Sequence, residues 1–366
     1  MYDDVRECDP LTEPTRLTEP TRLGRRAVLA GTGLLAGGML IGGAGTATAD
    51  TLDHAAARRA RDFRLTGGGE PLFTDVPLHN ETVLQSFAID NDRRRVYTVQ
   101  LMAGGIQLPG EDAPVAGGVR ASQGDLCLTQ FDFAGNELGY MYLPGWGHGV
   151  QMGVETHRGR PRLWCGTASD DTGYARRVGA FSFHNGSVLG YGSKLISYFD
   201  PIPSTADKTI IHTDISTDPV HDRCLVRYIV QDAGARYAWF RGTRPAGRPI
   251  ADVESPTLAT FQGYAAWGNR GYLLAGDHYG AADSPEPVGN TSVTTIDLRS
   301  GRVLDAVHIS AMPDLVYREP EGMGVLLTKR GRPDTARLCL GFATGEAGDR
   351  RATILVLDQK ELITSH

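Results

Sequence analysis

After residue 49 the chain has no hydrophobic run of membrane length and no helix-period segment of useful length. It also lacks the short motifs that announce common enzymes. No Gly-x-Ser-x-Gly is present, so a serine-hydrolase elbow has no support. No His-Glu-x-x-His or Cys-x-x-Cys occurs, so a zinc site has no spacing to stand on. Gly67-Gly68-Gly69 is followed by Pro71 and cannot open a helix, which excludes a phosphate loop. Positive charge is in deficit, with 37 Lys+Arg against 43 Asp+Glu and a formal net charge of −6. Phosphate backbones need a basic surplus, so general nucleic-acid affinity is not expected.

What is abundant is glycine and proline, at 46 and 20 of 366 residues, which favours many short elements joined by turns. Hydrophobic residues make up 41% and charged residues 22%, a globular balance. The length allows one large domain or two ordinary ones.

Residues 1–49 read as an export signal. A polar stretch holds the duplication Leu11–Arg16 and Leu17–Arg22, both LTEPTR. Gly24-Arg25-Arg26 then precedes a weakly apolar, Gly/Ala-rich run, and Ala47-Thr48-Ala49 forms a small-x-small cleavage site. The pattern resembles a twin-arginine signal cleaved after Ala49; the alternative is an uncleaved anchor, for which the run is short and glycine-rich. Cleavage leaves 32 basic and 37 acidic residues and a secreted, soluble product. Residues 50–70 form a lead-in and 71–366 the folded domain. Four Cys remain, at 127, 165, 224 and 339, each inside an apolar strand-like run. Two disulfides are possible, but folding before export takes place in a reducing compartment, so buried free thiols are expected.

Short alternating stretches recur with turn signals every eight to twelve residues, which marks an all-β chain. Five segments share one plan: a strand with small residues and one or two polar groups, then a hydrophobic strand, then an outer strand ending in a hairpin. The first strands are Gln85–Asp90, His148–Glu155, His212–Asp218, Phe261–Gly268 and Glu319–Leu326, starting roughly 50 to 65 residues apart. Such a unit cannot bury both faces alone. Five arranged radially can, which predicts a single five-bladed β-propeller with the first strand of each blade at the central channel. A pair of β-sandwiches is the alternative. Phe63–Leu65 and Pro71–Thr74 are placed to complete the last blade.

Polar residues on converging inner strands would face one cavity, which makes Gln85, His148, His212, Asp214, Gln262, Glu319 and Glu321 the candidate ligand-binding set, with His79 just before the first strand. A polar plug satisfied by its own hydrogen bonds is the plainer reading of each. Aromatic rings stack on sugars. Most here are expected to be blade packing, with Trp146, in Gly145-Trp146-Gly147, the best ligand-facing candidate. Asp170-Asp171 and Asp214/Asp218 could ligate calcium, but exposed acidic turns are commoner and no metal is expected.

Several segments are familiar: Pro77–Phe87 (PLHNETVLQSF), Gly105–Glu111 (GIQLPGE), Gly147-His148-Gly149-Val150, Phe261-Gln262-Gly263 and Arg318–Met323 (REPEGM). Over roughly residues 70–358 the chain resembles the actinomycete family called teichoic acid biosynthesis protein C or phage baseplate protein. That family is similar to the propeller domain of staphylococcal phage receptor-binding proteins. The resemblance implies a five-bladed propeller and, less directly, recognition of a cell-wall glycopolymer; no cofactor is expected. This chain is expected to differ from the phage proteins by its export signal and by the absence of a tail-attachment segment. The expected product is a secreted, monomeric glycan binder with no nucleic-acid partner and no membrane insertion. Two other classes remain open. One is a glycan-active hydrolase or lyase, which needs paired carboxyls and could draw on Glu321 or Glu319 with His148 or Asp214. The other is a phage-derived structural attachment module.

Overall fold

The computed structural model describes residues 60–218 and 220–360. The export signal expected over 1–49 and the first part of the lead-in lie outside the described residues.

The chain forms five sheets in a ring. Blade 1 comprises Leu84–Asp90, Arg95–Leu101, Leu126–Asp132 and Glu137–Leu143; blade 2, Met152–His157, Arg160–Ser169, Ala175–Phe181 and Ser197–Phe199. Blade 3 comprises Ile210–Asp218, Arg223–Val230, Gly234–Arg241 and Ala251–Glu254; blade 4, Phe261–Trp267, Arg270–Ala275, Ser292–Asp297 and Val303–His308. Blade 5 takes Glu319–Leu327, Ala336–Thr344 and Arg351–Leu357 from the end of the chain, and its outermost strand, Glu70–Pro77, from the beginning. That strand pairs antiparallel with Arg351–Leu357, and Phe63 bridges Gln359, so the two ends of the fold close the ring together. Phe63 and Leu65, in the lead-in, are buried in the core. The five-bladed reading holds, and the β-sandwich alternative does not.

Each inner strand touches both neighbouring inner strands around the axis. The apolar residues divide into five clusters, one per blade interface. Alternation on the second strands explains why. In blade 3, Cys224, Val226 and Tyr228 pack toward blade 2, while Leu225 packs toward blade 4. In blade 5, Leu338, Leu340 and Phe342 face blade 4 and Cys339 faces blade 1. A strand apolar on both faces has no solvent side, so blades are stable only when stacked. All four tryptophans are consumed by this packing.

The four described cysteines are free and buried. Burial pushes the Cys127 thiol up to about 12 and raises the other three as well.

Two features escaped the sequence pattern. A seven-residue helix, Gly117–Gln123, interrupts blade 1 between its second and third strands. Its start on two glycines gives no propensity signal. Secondly, the chain leaving the third strand of blade 2 first adds Ser187–Val188 to blade 1, parallel to Met141 and Tyr142, and then returns. The last strand of blade 2 is therefore only three residues, Ser197–Phe199.

Candidate functional site

The inner strands all run the same way along the axis. Their C-terminal halves surround a cavity of about 30 Å³ lined by Ala88, Gly153, Ser216, Ala265 and Gly324 among others, room for a water or two. These small residues fit the taper. The polar set lies at the other end, where the inner strands begin.

Four of the five inner strands carry a bulge close to their start. Pairing passes directly from Leu84–Gln100 to Ser86–Val99, from Ile210–Val230 to His212–Ile229, and from Phe261–Ala275 to Gly263–Leu274. In blade 5 it passes from Pro320–Phe342 to Met323–Leu340. The extra residues are Gln85, Ile211, Gln262 and the pair Glu321-Gly322. Bulges re-aim side chains and recur beside binding sites. The same local device thus places Gln85, Gln262 and Glu321 alike on three blades.

These three converge. The residue after each is packed against its counterpart: a Cβ on Gly263 would lie 2.7 Å from the Gly322 Cα, and one on Gly322 would lie 2.6 Å from the Ser86 Cα. The Ser86 hydroxyl donates to the Gly149 carbonyl at 2.5 Å, which brings the residue next to His148 into the same ring. Beneath them Gln151, fully buried, ties three blades together. Its Oε1 accepts from the Tyr264 and Met323 amides at 3.1 and 3.2 Å, and its Nε2 donates to the Met323 and Met152 carbonyls at 2.8 and 2.9 Å. Gln151 is the floor of the mouth, and its four bonds leave it nothing for a ligand.

On the blade 2–blade 3 side the ring continues as a stack. His148 lies over Tyr174 with centroids 5.1 Å apart, and Tyr174 meets His212 at 4.6 Å. His212 Nε2 lies 2.8 Å from Asp214 Oδ2, and neither atom has another hydrogen-bond partner among the described residues. His212 and Asp214 are buried, while His148 and Tyr174 keep accessible surface. The protein packed around His148, with the His212 imidazole nearby, holds its pKa down to about 4, so it is neutral at physiological pH. Glu321 is 5% exposed; burial, and then Glu319 on the same strand, push its carboxyl well above the glutamate range. Glu319 is half-buried at the lip. Gln262 donates to the Gly276 carbonyl at 2.9 Å, which fixes its amide.

Two expected members stand elsewhere. Trp146 is fully buried between Phe181 and the blade 1–2 core, and its Nε1 donates to the Leu189 carbonyl at 2.7 Å. With its face covered and its N–H spent, it cannot meet a ligand. His79 stacks on Tyr140 at 3.4 Å, and its Nδ1 lies 3.0 Å from Glu137 Oε1. Both partners belong to the fourth strand of blade 1, far out on the sheet, which puts His79 toward the rim and away from the axis. The remaining family-like segments are structural. Glu111 of GIQLPGE holds buried Arg120 at 2.5 and 2.6 Å, and Arg318 donates to Thr291, Ile309 and Ala311. Of the residues considered for calcium, Asp170 is engaged by Thr172 and Arg176 and Asp218 by His221 and the Gly268 amide, while Asp171 is exposed.

Sequence reasoning missed Tyr174, Gln151 and Arg227. Arg227 is 7% exposed, lies over the Phe261 ring at 3.9 Å beside Gln262, and leaves its Nε unpaired. Only its register opposite Asp214 on the second strand of blade 3 could have pointed to it.

Comparison with known proteins agrees with this architecture. The family described as the phage 5-bladed beta propeller receptor binding platform domain matches residues 83–236, from blade 1 into blade 3. A Bacillus subtilis (strain 168) protein, provisionally named major teichoic acid biosynthesis protein C, is 26% identical over 146 residues, 40% of this chain and 30% of that protein. The tail fibre of Staphylococcus aureus phage P68 superposes with a TM-score of 0.56 at 16% identity over 80% of this chain. The chain spans about half of that tail fibre, 53% of its length, and the likeness is one of fold. The resemblance read from the motifs therefore stands: this is a five-bladed propeller resembling phage receptor-binding domains.

Proposed function

We propose that this protein is a secreted binder of a cell-wall glycopolymer or related glycan, and that the mouth of the propeller is where it binds. The observation that carries this reading is the convergence of Gln85, Gln262 and Glu321 from three equivalent bulges, beside the His148–Tyr174–His212 stack. Amides, a neutral imidazole, a tyrosine ring and a buried carboxyl suit hydroxyl-rich rings: the rings stack and the amides read the hydroxyls. The likeness to phage receptor-binding propellers and to a protein named for teichoic acid biosynthesis supports the choice of polymer.

The test is an array of glycans and wall polymers probed with the mature protein, with products analysed by mass spectrometry. Binding without new products is expected. New products would support the enzyme reading instead, which one observation favours: Glu321 is a carboxyl raised in pKa, as a general acid requires. Against it, the carboxylate acting on Glu321 is Glu319 of its own strand, while Asp214 faces His212. Secretion rests on Arg25-Arg26. Exchange of both for Lys should leave unprocessed protein in the cytoplasm, and normal export of that variant would contradict the twin-arginine signal.

A further inference from the structure

The five inner strands run the same way, so each turn from a first strand to a second, or from a third to a fourth, opens on the face opposite the mouth. That face presents cations. Arg94, Arg158, Arg160, Arg248, Arg302 and Lys329 are exposed there, at least one from each blade, and none makes a carboxylate ion pair among the described residues. Carboxylates of the same face are taken up by other arginines: Asp92 by Arg330, Asp297 by Arg270, Asp334 by Arg332 and Asp358 by Arg337. Arg94 and Arg158 hold φ of 54° and 50°, the left-handed region that a turn usually gives to Gly or Asn. Two arginines therefore stand where backbone preference argues against them.

The mouth face carries the opposite sign. Asp112, Asp171, Asp232, Asp283 and Glu346 are exposed, each from the loop between the second and third strands of its blade. The arginines of those loops, Arg120 and Arg350, are buried, as is Arg318 at the entry to blade 5. A modest net charge of −6 thus covers a fold sorted by face, acidic around the mouth and basic opposite it.

We propose that the basic face docks on an anionic lipid bilayer, with the mouth turned away from it. The cations are spread around all five blades. A flat surface meets them together, whereas a linear polyanion crosses only one or two blades at a time. Turns between first and second strands are as short as the two residues Arg158-Gly159 and Gly268-Asn269, so little stands proud of the ring. Each cation near a charged bilayer adds attraction that fades within a Debye length. Repulsion of the acidic face fixes the orientation. Val303, next to Arg302 and 46% exposed, offers an apolar contact at the headgroup boundary. Leu195, 75% exposed and lining one cleft with Arg158 and Arg160, offers another. Such contact is peripheral and inserts no strand or helix. The proposal does not depend on what the mouth binds.

The test is co-sedimentation of the chain beginning at Asp50 with vesicles of phosphatidylglycerol mixed into phosphatidylcholine, against vesicles of phosphatidylcholine alone. Wild-type protein should sediment with the anionic vesicles, less so as salt rises, and not with the neutral ones. Arg248→Gln/Arg302→Gln/Lys329→Gln, drawn from three blades and breaking no ion pair, should weaken binding at least about tenfold with an unchanged melting temperature. Asp112→Asn/Asp232→Asn/Glu346→Gln changes the net charge as much on the other face and should alter binding less than about threefold. The proposal is overturned if wild type ignores the anionic vesicles, or if the basic-face variant binds them as well as wild type. It is also overturned if the acidic-face variant gains as much as the basic-face variant loses, since net charge alone would then explain binding. Release from the vesicles by an oligothymidylate at matched phosphate concentration would assign the face to a linear polyanion, and head-to-tail assembly without lipid would assign it to a second copy of the chain; either result contradicts the proposal.

Discussion

Gly263 and Gly322 meet at a separation that no pair of side chains could share, with a Cβ on Gly263 falling 2.7 Å from the Gly322 Cα. Both have positive φ, 147° and 74°. The contact sets how closely blades 4 and 5 approach and therefore how Gln262 and Glu321 stand to each other. Gly322→Ala would drive a methyl group into Ser86 of blade 1 as well. We expect a loss of about 2–4 kcal/mol, from left-handed strain plus overpacking, measured by urea unfolding. A loss below about 0.5 kcal/mol would mean that the inner strands are not packed as described.

Two mouth residues give the protein opposed pH dependences. His148 is held down to about 4 against an ordinary 6.5. Below 6.5 the unfolded chain takes a proton that the fold refuses, so stability is lost as pH falls from there toward 4. Glu321 is held up from an ordinary 4.5, so above 4.5 the unfolded chain releases a proton that the fold keeps, and stability is lost as pH rises. Each slope is at most about 1.4 kcal/mol per pH unit. Urea midpoints across this range should show His148→Gln gaining on wild type as pH falls, and Glu321→Gln gaining on it as pH rises. Profiles parallel to wild type would contradict both assignments.

The thiols offer a check on the blade packing. Cys127, Cys165, Cys224 and Cys339 lie on different blades or interfaces, buried and with raised pKa. Intact-mass analysis of a chain beginning at Asp50 should show four thiols, unreactive to a thiol reagent until denaturant is added. A mass lower by four hydrogens would mean two disulfides and a different arrangement of strands.

The ring was legible because its repeat is carried by what stacking demands: small, polar-tipped inner strands and second strands apolar on both faces. Start positions at Gln85, His212, Phe261 and Glu319 fall within two residues of the observed strands. The fourth strands were not legible. Ala251–Glu254 and Val303–His308 are short or largely exposed and need no apolar alternation. Of the site, the bulge residues were legible as polar groups among small ones. Trp146 misled because its glycine-flanked loop reads as open, whereas the Leu189 carbonyl that satisfies its indole arrives from the blade 1–2 excursion. His79 misled because proximity in sequence to Gln85 does not survive the turn between them. Gln151 lies just ahead of the strand that was expected to contain it, and its partners, 113 and 172 residues away, exist only once the ring closes.

Glu321→Gln separates binding from catalysis more sharply than a deletion would. Gln keeps the shape of a carboxyl whose pKa burial raises well above the glutamate range, so a binding protein should lose no more than about tenfold in affinity, about 1.4 kcal/mol. An enzyme relying on Glu321 as acid should lose a hundredfold or more in turnover.

The central claim is that the mouth holds the glycan. It is tested most directly by titrating a purified wall teichoic acid fragment into wild-type protein and into the Gln85→Ala/Gln262→Ala double variant. Two hydrogen bonds at about 1 kcal/mol each predict a loss of tenfold or more in affinity, with melting temperature little changed. Equal affinity of the folded double variant and wild type would place the glycan elsewhere and contradict the account.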